Sequence, residues 1–267
     1  RVWSENSGGE NRLNGQPAAT GAATSISARQ SPARAAENEG TGSVAMVHLS
    51  VVVIRRNALE LPEASGDRRG RCGQGKKLKV LFLGDSSVSG VGVSLLEDAL
   101  SGAVLKILKE KYYCEWRVCA ESKITTSQLS RKLENETKEV YDLAIVSIGM
   151  NDILDGIHTD KWLKDLLSLQ DFIAEKFEVS RTIFSGMPPV HKLKQLPQPL
   201  LYFLSLKAFV FDQFLQRFCK KYSKCYYVGI DLPVTDETMA ADGFHPNEMF
   251  YQIWAERICD RILSRKF

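Results

Sequence analysis

The sequence predicts an α/β fold: a three-layer α/β/α sandwich built on a five-stranded, mostly parallel sheet. From Lys77 onward, five short apolar runs alternate with longer amphipathic stretches, the pattern of strands each followed by a helix. Two of those runs end abruptly in small polar residues and glycine, in "GDSSVSGVGV" and "SIGMND". In an open parallel sheet covered on both faces, the ligand site lies at the carboxyl ends of the strands.

The first strand is "LKVLFL" (78–83), and the helical stretch after it lies near 94–110. "WRVCA" (116–120) is the second strand, followed by a helix over 126–138. "DLAIVSI" (142–148) leads to a helix at 160–177, and "RTIFSG" (181–186) to one at 199–222. "CYYVGI" (225–230) is the fifth strand, and a last helix spans 247–265.

Ahead of this pattern the composition changes. Residues 1–43 carry Val2, Trp3, Leu13 and Ile26 as nearly their only large apolar side chains, so they cannot bury enough surface to offset their ordering entropy and are expected to be disordered. The apolar "VAMVHLSVVVIRR" (44–56) is too short to span a bilayer and contains a histidine; it fits a signal-like or surface-associating segment, a strand, or part of the leader. "EASGDRRGRCGQGKK" (63–77) has the glycines and charges of a linker. The expected organisation is therefore a leader over 1–54, a lead-in over 55–77 and one domain over 78–267. A start at Arg1 fits a fragment or a processed form.

Lys+Arg at 35 against Asp+Glu at 32 gives a net charge of +3, too small to mark a polyanion-binding surface, so nucleic acid is excluded as a partner. Without a span, membrane contact is limited to the periphery. Cysteines 72, 114, 119, 219, 225 and 259 have neither zinc-site spacing nor the density of a disulfide-stapled mini-domain. They are expected as buried or incidental thiols, with Cys114/Cys119 or Cys219/Cys225 bridges as alternatives, and they leave the compartment undecided.

Three constellations carry chemistry. Gly84 and Asp85 precede Ser86 at the first strand end, where free backbone N–H groups at the head of a following helix favour developing negative charge. Ser86 there is either a nucleophile or, with Asp85, a capping residue; no phosphate-loop lysine or dinucleotide fingerprint accompanies it. Gly149, Asn151 and Asp152 follow the third strand, where an amide suits a transient oxyanion and an Asn-Asp pair equally suits a plain turn. In "DGFHPN" (242–247), Asp242 and His245 share one turn, so the carboxylate can hold one imidazole nitrogen while the other faces a serine. Pro246 suits a helix start. "DGIH" (155–158) repeats the spacing without the proline, and His245 is preferred over His158. His48 and His191 are assigned no role.

Strand-end serine, strand-end asparagine and a late Asp-x-x-His-Pro, in that order, resemble the SGNH or GDSL-type hydrolases, over roughly 78–267. The resemblance extends to Gly-Val-Gly after the serine loop, "MPP" (187–189) and "LPQPL" (196–200), and is nearest to the bacterial-type branch, whose lead-in "RRNALELPEASG" (55–66) also resembles. It implies Ser86 as nucleophile, His245 as base, Asp242 as its orienting acid, and Ser86 N–H and the Asn151 amide as oxyanion donors. The family's remaining donor is a glycine; here Lys123 stands in its place, able to supply a backbone N–H but strained if φ must be positive.

The implied activity is carboxylic ester hydrolysis through an acyl-enzyme, with no metal or organic cofactor, by a monomer acting on a small ester or acylated substrate. Lysophospholipase or thioesterase activity is the alternative within the enzyme class. A catalytically impaired acyl-ligand binder is the alternative that Lys123 raises. A flavodoxin-like nucleotide or flavin binder shares the architecture but leaves Asp242 and His245 without purpose. The loop before the helix in 188–211 is a candidate wall for an acyl pocket, and the apolar run itself is expected to be buried against the sheet.

Overall fold

The computed structural model describes residues 59–264 except Lys194 and Asp231. The leader expected over 1–54 lies outside the described residues. Among the described residues six strands form one sheet: β1 (Arg69–Cys72), β2 (Lys76–Gly84), β3 (Tyr112–Ala120), β4 (Leu143–Ser147), β5 (Arg181–Ser185) and β6 (Cys225–Val228). Six α-helices accompany them: α1 (Leu100–Leu108), α2 (Thr126–Glu134), α3 (Met150–Leu154), α4 (Thr159–Lys176), α5 (Leu200–Lys221) and α6 (Glu248–Leu263). The strand order is β1-β3-β2-β4-β5-β6, with every neighbouring pair parallel except β1–β3.

The five parallel strands are those the alternation predicted, and β1 is an addition. It lies within 63–77, the stretch whose glycines and charges suggested a linker. Its exposed and half-buried residues pair along the β3 edge, from Arg69 opposite Arg117 to Cys72 opposite Cys114. An edge strand of that kind has no apolar face to betray it in sequence. Ala64, further upstream, is also buried against the domain.

The sheet buries both faces, and side chains alternate between them. Leu81, Leu83, Ala144 and Val146 face a core closed by α2, α4 and α5, whereas Val80, Phe82, Leu143 and Ile145 face α1 and α6. On the first face, Trp162 of α4 stacks on Phe211 of α5 with ring centroids 4.3 Å apart, and its indole N–H reaches Thr126 Oγ1 at 3.2 Å. Burying a ring of this size is worth several kcal/mol in lost water contact, about 25 cal/mol per Å².

All six cysteines are free thiols, and five are buried. Cys114 and Cys119 lie five residues apart on β3 and so point to opposite faces, into different halves of the core, which rules out a bridge between them. Cys219 and Cys225 share one face and are likewise unbridged.

Candidate active site

The chain leaves β2 at Gly84, which packs so closely on β4 that a Cβ there would stand 2.1 Å from the Ser147 carbonyl oxygen. Asp85 N–H then donates to that same carbonyl at 3.2 Å, and Asp85 Oδ1 accepts from Ser87 N–H at 3.1 Å and from its hydroxyl at 3.0 Å. Burial pushes the Asp85 carboxyl above the usual range, against the pull of these Ser87 donors and of His245. A run of turn bonds follows: Val88 and Ser89 N–H donate to Asp85 C=O, and Val91 N–H to Ser86 C=O. Ser86 therefore sits on a hydrogen-bonded turn and not at a helix start, since α1 begins only at Leu100. The N–H of Ser86 has no hydrogen-bond partner among the described residues.

Ser86 Oγ lies 3.1 Å from His245 Nε2, and His245 Nδ1 lies 2.5 Å from Asp242 Oδ2. The other Asp242 oxygen accepts the N–H of Phe244 and of His245, each at 2.9 Å. Burial alone would raise the Asp242 pKa, but the His245 ring and these two N–H groups overcome it and hold the carboxyl below its ordinary value. An ionised Asp242 fixes the proton on Nδ1 and leaves Nε2 as an acceptor toward the serine. The loop closes on Asn247, whose side chain accepts Phe250 N–H at 3.2 Å and so caps α6; the helix starts past Pro246. Gly92 lets the serine loop meet this one, with φ of 105° and a would-be Cβ 2.1 Å from the Pro246 carbonyl oxygen.

The third strand end adds Gly149 at φ 122°, with Asn151 and Asp152 following in α3. Asn151 is buried, and its amide donates one hydrogen to Ile124 C=O at 3.2 Å. Asp152 is fully buried and accepts from Thr126 N–H at 3.0 Å and from its hydroxyl at 2.9 Å, which ties α3 to the start of α2. Burial, only partly offset by Thr126, raises Asp152 to about 6.

Lys123, between β3 and α2, has φ of 65°, the left-handed conformation that a glycine would adopt freely. Its N–H also has no hydrogen-bond partner among the described residues. The turn is held from outside by a residue that sequence reasoning left in the linker: Glu63 accepts Ser122 N–H at 2.6 Å and pairs with Arg68 at 2.7 Å. A charged residue in a Gly-rich stretch gave no signal of this, because its partner lies 59 positions away.

An apolar pocket opens beside Ser86 and His245, walled by Ile148, Met187, Pro188, Leu193, Val234 and Phe244. The loop before α5 thus lines it, as the sequence suggested. His158, the decoy, instead precedes α4, where its carbonyl accepts Trp162 N–H at 2.9 Å. His191 lies in a short 3-10 turn, and His48 lies outside the described residues.

The model of the GDSL-like lipase/acylhydrolase family matches residues 82–253, which takes in all three strand-end loops. The chain belongs to this family. No protein with a curated description matches this GDSL-like chain in sequence. Among solved structures it is similar to the lipase Lip_vut3 from a goat rumen metagenome, at 16% identity and a TM-score of 0.56, over 70% of this chain and 99% of that one. It is also similar to a lipolytic protein of the G-D-S-L family from Veillonella parvula, at 14% identity and 0.54, over 70% and 98%. A family 3 carbohydrate esterase from Clostridium thermocellum aligns at 18% identity and 0.52, over 68% and 94%. These likenesses are of fold. Together with the family match they make this GDSL-like chain a member of a hydrolase family on the three-layer α/β/α frame.

Proposed function

We propose that this chain hydrolyses carboxylic esters through an acyl-enzyme on Ser86. The observation that carries the reading is the unbroken relay Ser86 Oγ–His245 Nε2 at 3.1 Å and His245 Nδ1–Asp242 at 2.5 Å, beside an apolar pocket. Neutral His245 takes the hydroxyl proton as Oγ attacks the ester carbonyl, and Asp242 holds the tautomer and stabilises the imidazolium. The tetrahedral oxyanion is held by the N–H of Ser86, the N–H of Lys123 and the second amide hydrogen of Asn151. His245 then protonates the leaving alcohol, and a water activated by the same imidazole releases the acid. None of these steps calls on a metal or organic cofactor. The apolar walls at Met187 and Pro188 suit the acyl chain. Thioester and lysophospholipid substrates would pass through the same relay.

Hydrolysis of p-nitrophenyl acetate, butyrate and octanoate by the wild type beside Ser86→Ala tests this. Turnover that falls by about 10⁴-fold or more in the variant supports the serine relay. Equal turnover in both proteins overturns it. A folded wild type with no turnover, which gains it on Lys123→Gly, would assign the chain to the impaired acyl-binding reading instead.

A further inference from the structure

The run over 188–211 was expected to bury its apolar residues against the sheet, and half of it does. Leu200, Leu204, Ala208, Phe211 and Leu215 face the core along α5. Tyr202 and Phe209 are each 61% exposed and Leu206 is 37% exposed, at helical spacing on the opposite side. Continuing along that stripe toward the C-terminal end, the same face carries Arg217 and Lys220, both exposed and without an acidic partner among the described residues.

The charge along the solvent face of α5 and in the loop before it has one sign. Between Gly186 and Phe211 the sequence has no Asp or Glu, and its basic side chains are His191 and the lysines Lys192, Lys194 and Lys207. The single acid of α5, Asp212, is turned inward, accepting Met187 N–H at 2.9 Å and the Tyr227 hydroxyl at 2.8 Å. A solvent face that combines exposed aromatic and aliphatic side chains with unpaired cations supplies the two attractions an anionic lipid interface offers, apolar burial and headgroup charge. The cations would meet anionic headgroups, and the rings would enter the acyl boundary.

We propose that the solvent face of α5 docks this protein on an anionic phospholipid surface. The helix follows directly on the loop that carries Pro188 and Leu193 into the pocket wall, so docking would place the pocket next to the interface where acylated amphiphiles reside. The link from docking to substrate rests on the esterase reading. The docking itself does not, and its test runs on protein in which Ser86 is alanine.

The full chain carrying Ser86→Ala is sedimented with vesicles of phosphatidylcholine alone and of equimolar phosphatidylcholine and phosphatidylglycerol. Binding to the mixed vesicles, weaker on neutral ones, is expected. The pairs Tyr202→Ser/Phe209→Ser and Arg217→Glu/Lys220→Glu should each weaken it roughly tenfold or more. Only the second pair should also lose the salt dependence. Thermal midpoints and circular dichroism matching the parent check that the variants remain intact. Absence of binding to the mixed vesicles overturns the proposal. Binding undiminished in both pairs also overturns it and assigns the attachment to another surface, residues 44–56 first. A concentration-dependent dimer lost in Tyr202→Ser/Phe209→Ser overturns it in favour of a self-interface.

Discussion

Lys123 holds its backbone at φ 65° while its ammonium pairs with the Glu60 carboxylate. The hydrogen bond and charge of Lys123 pull the Glu60 pKa down. Both side chains are mostly exposed, so the pair adds little and cannot offset a left-handed backbone that costs about 1–2 kcal/mol for a residue with a Cβ. Lys123→Gly should therefore raise stability by about 1 kcal/mol in urea unfolding, the gain being reduced by the added freedom of the unfolded chain. Because the backbone N–H is retained, kcat should change by no more than a few-fold. A loss of stability in Lys123→Gly would mean that the Glu60 pair outweighs the strain.

Asn151 has one amide hydrogen occupied by Ile124 C=O, which fixes the plane of the other. Asn151→Ala should lower kcat for p-nitrophenyl butyrate by about 10²–10³-fold with little effect on KM, the signature of a donor used in the transition state. Asn151→Asp should do at least as much harm. It offers no hydrogen, opposes the Ile124 carbonyl and repels a developing oxyanion. An aspartate variant more active than the alanine variant would remove Asn151 from the oxyanion site.

The parts of this fold that were legible in sequence are those with a local signature. Five strands buried on both faces announce themselves as apolar runs, and Ser86, Asn151 and His245 stand where such runs or the final helix begin or end. The edge strand β1 was missed because a surface edge carries no apolar pattern. The positive φ at Lys123 was posed as a question by the resemblance and is now answered by the backbone. Glu63 was invisible for a different reason: a carboxylate that holds a turn from 59 residues away differs in sequence from any solvated glutamate. The solvent face of α5 was hidden by averaging, since "LLYFLSLKAFVF" is apolar but for Ser205 and Lys207 and only its packing separates the core side from the exposed side.

Gly84 brings β2 close against Ser147 of β4, two residues before the serine. A Cβ would meet backbone, the Ser147 carbonyl oxygen at 2.1 Å, and the Val88 side chain at 2.6 Å. Backbone cannot move aside as a side-chain tip can. Gly84→Ala should cost roughly 3 kcal/mol or more, at the upper end of overpacking penalties, and should displace the serine turn. Gly229→Ala is the control. There the nearest atom is the Tyr227 hydroxyl at 3.3 Å, so a loss within about 1 kcal/mol is expected by thermal unfolding. Equal costs at the two positions would refute the close-approach argument.

Asp152 makes a pH-dependent contribution of the opposite sign to the usual carboxylate. Its folded pKa is raised to about 6 by burial, above the ordinary value near 3.8, so the folded state binds the proton more tightly than the unfolded chain. The cost of holding the buried charge is fully present above pH 6 and is relieved as pH falls from 6 toward 4. Over that window the Asp152 contribution should increase stability by roughly 1–3 kcal/mol. Asp152→Asn keeps an acceptor for Thr126 N–H and removes the titration. Subtracting urea-unfolding free energies of the variant from those of the wild type at a series of pH values isolates the effect. The difference should slope toward the wild type on acidification between pH 6 and 4. A flat difference, or one that slopes toward the variant, would show that the Thr126 donors and the α2 N-terminus outweigh burial, and that Asp152 stays ionised at no cost.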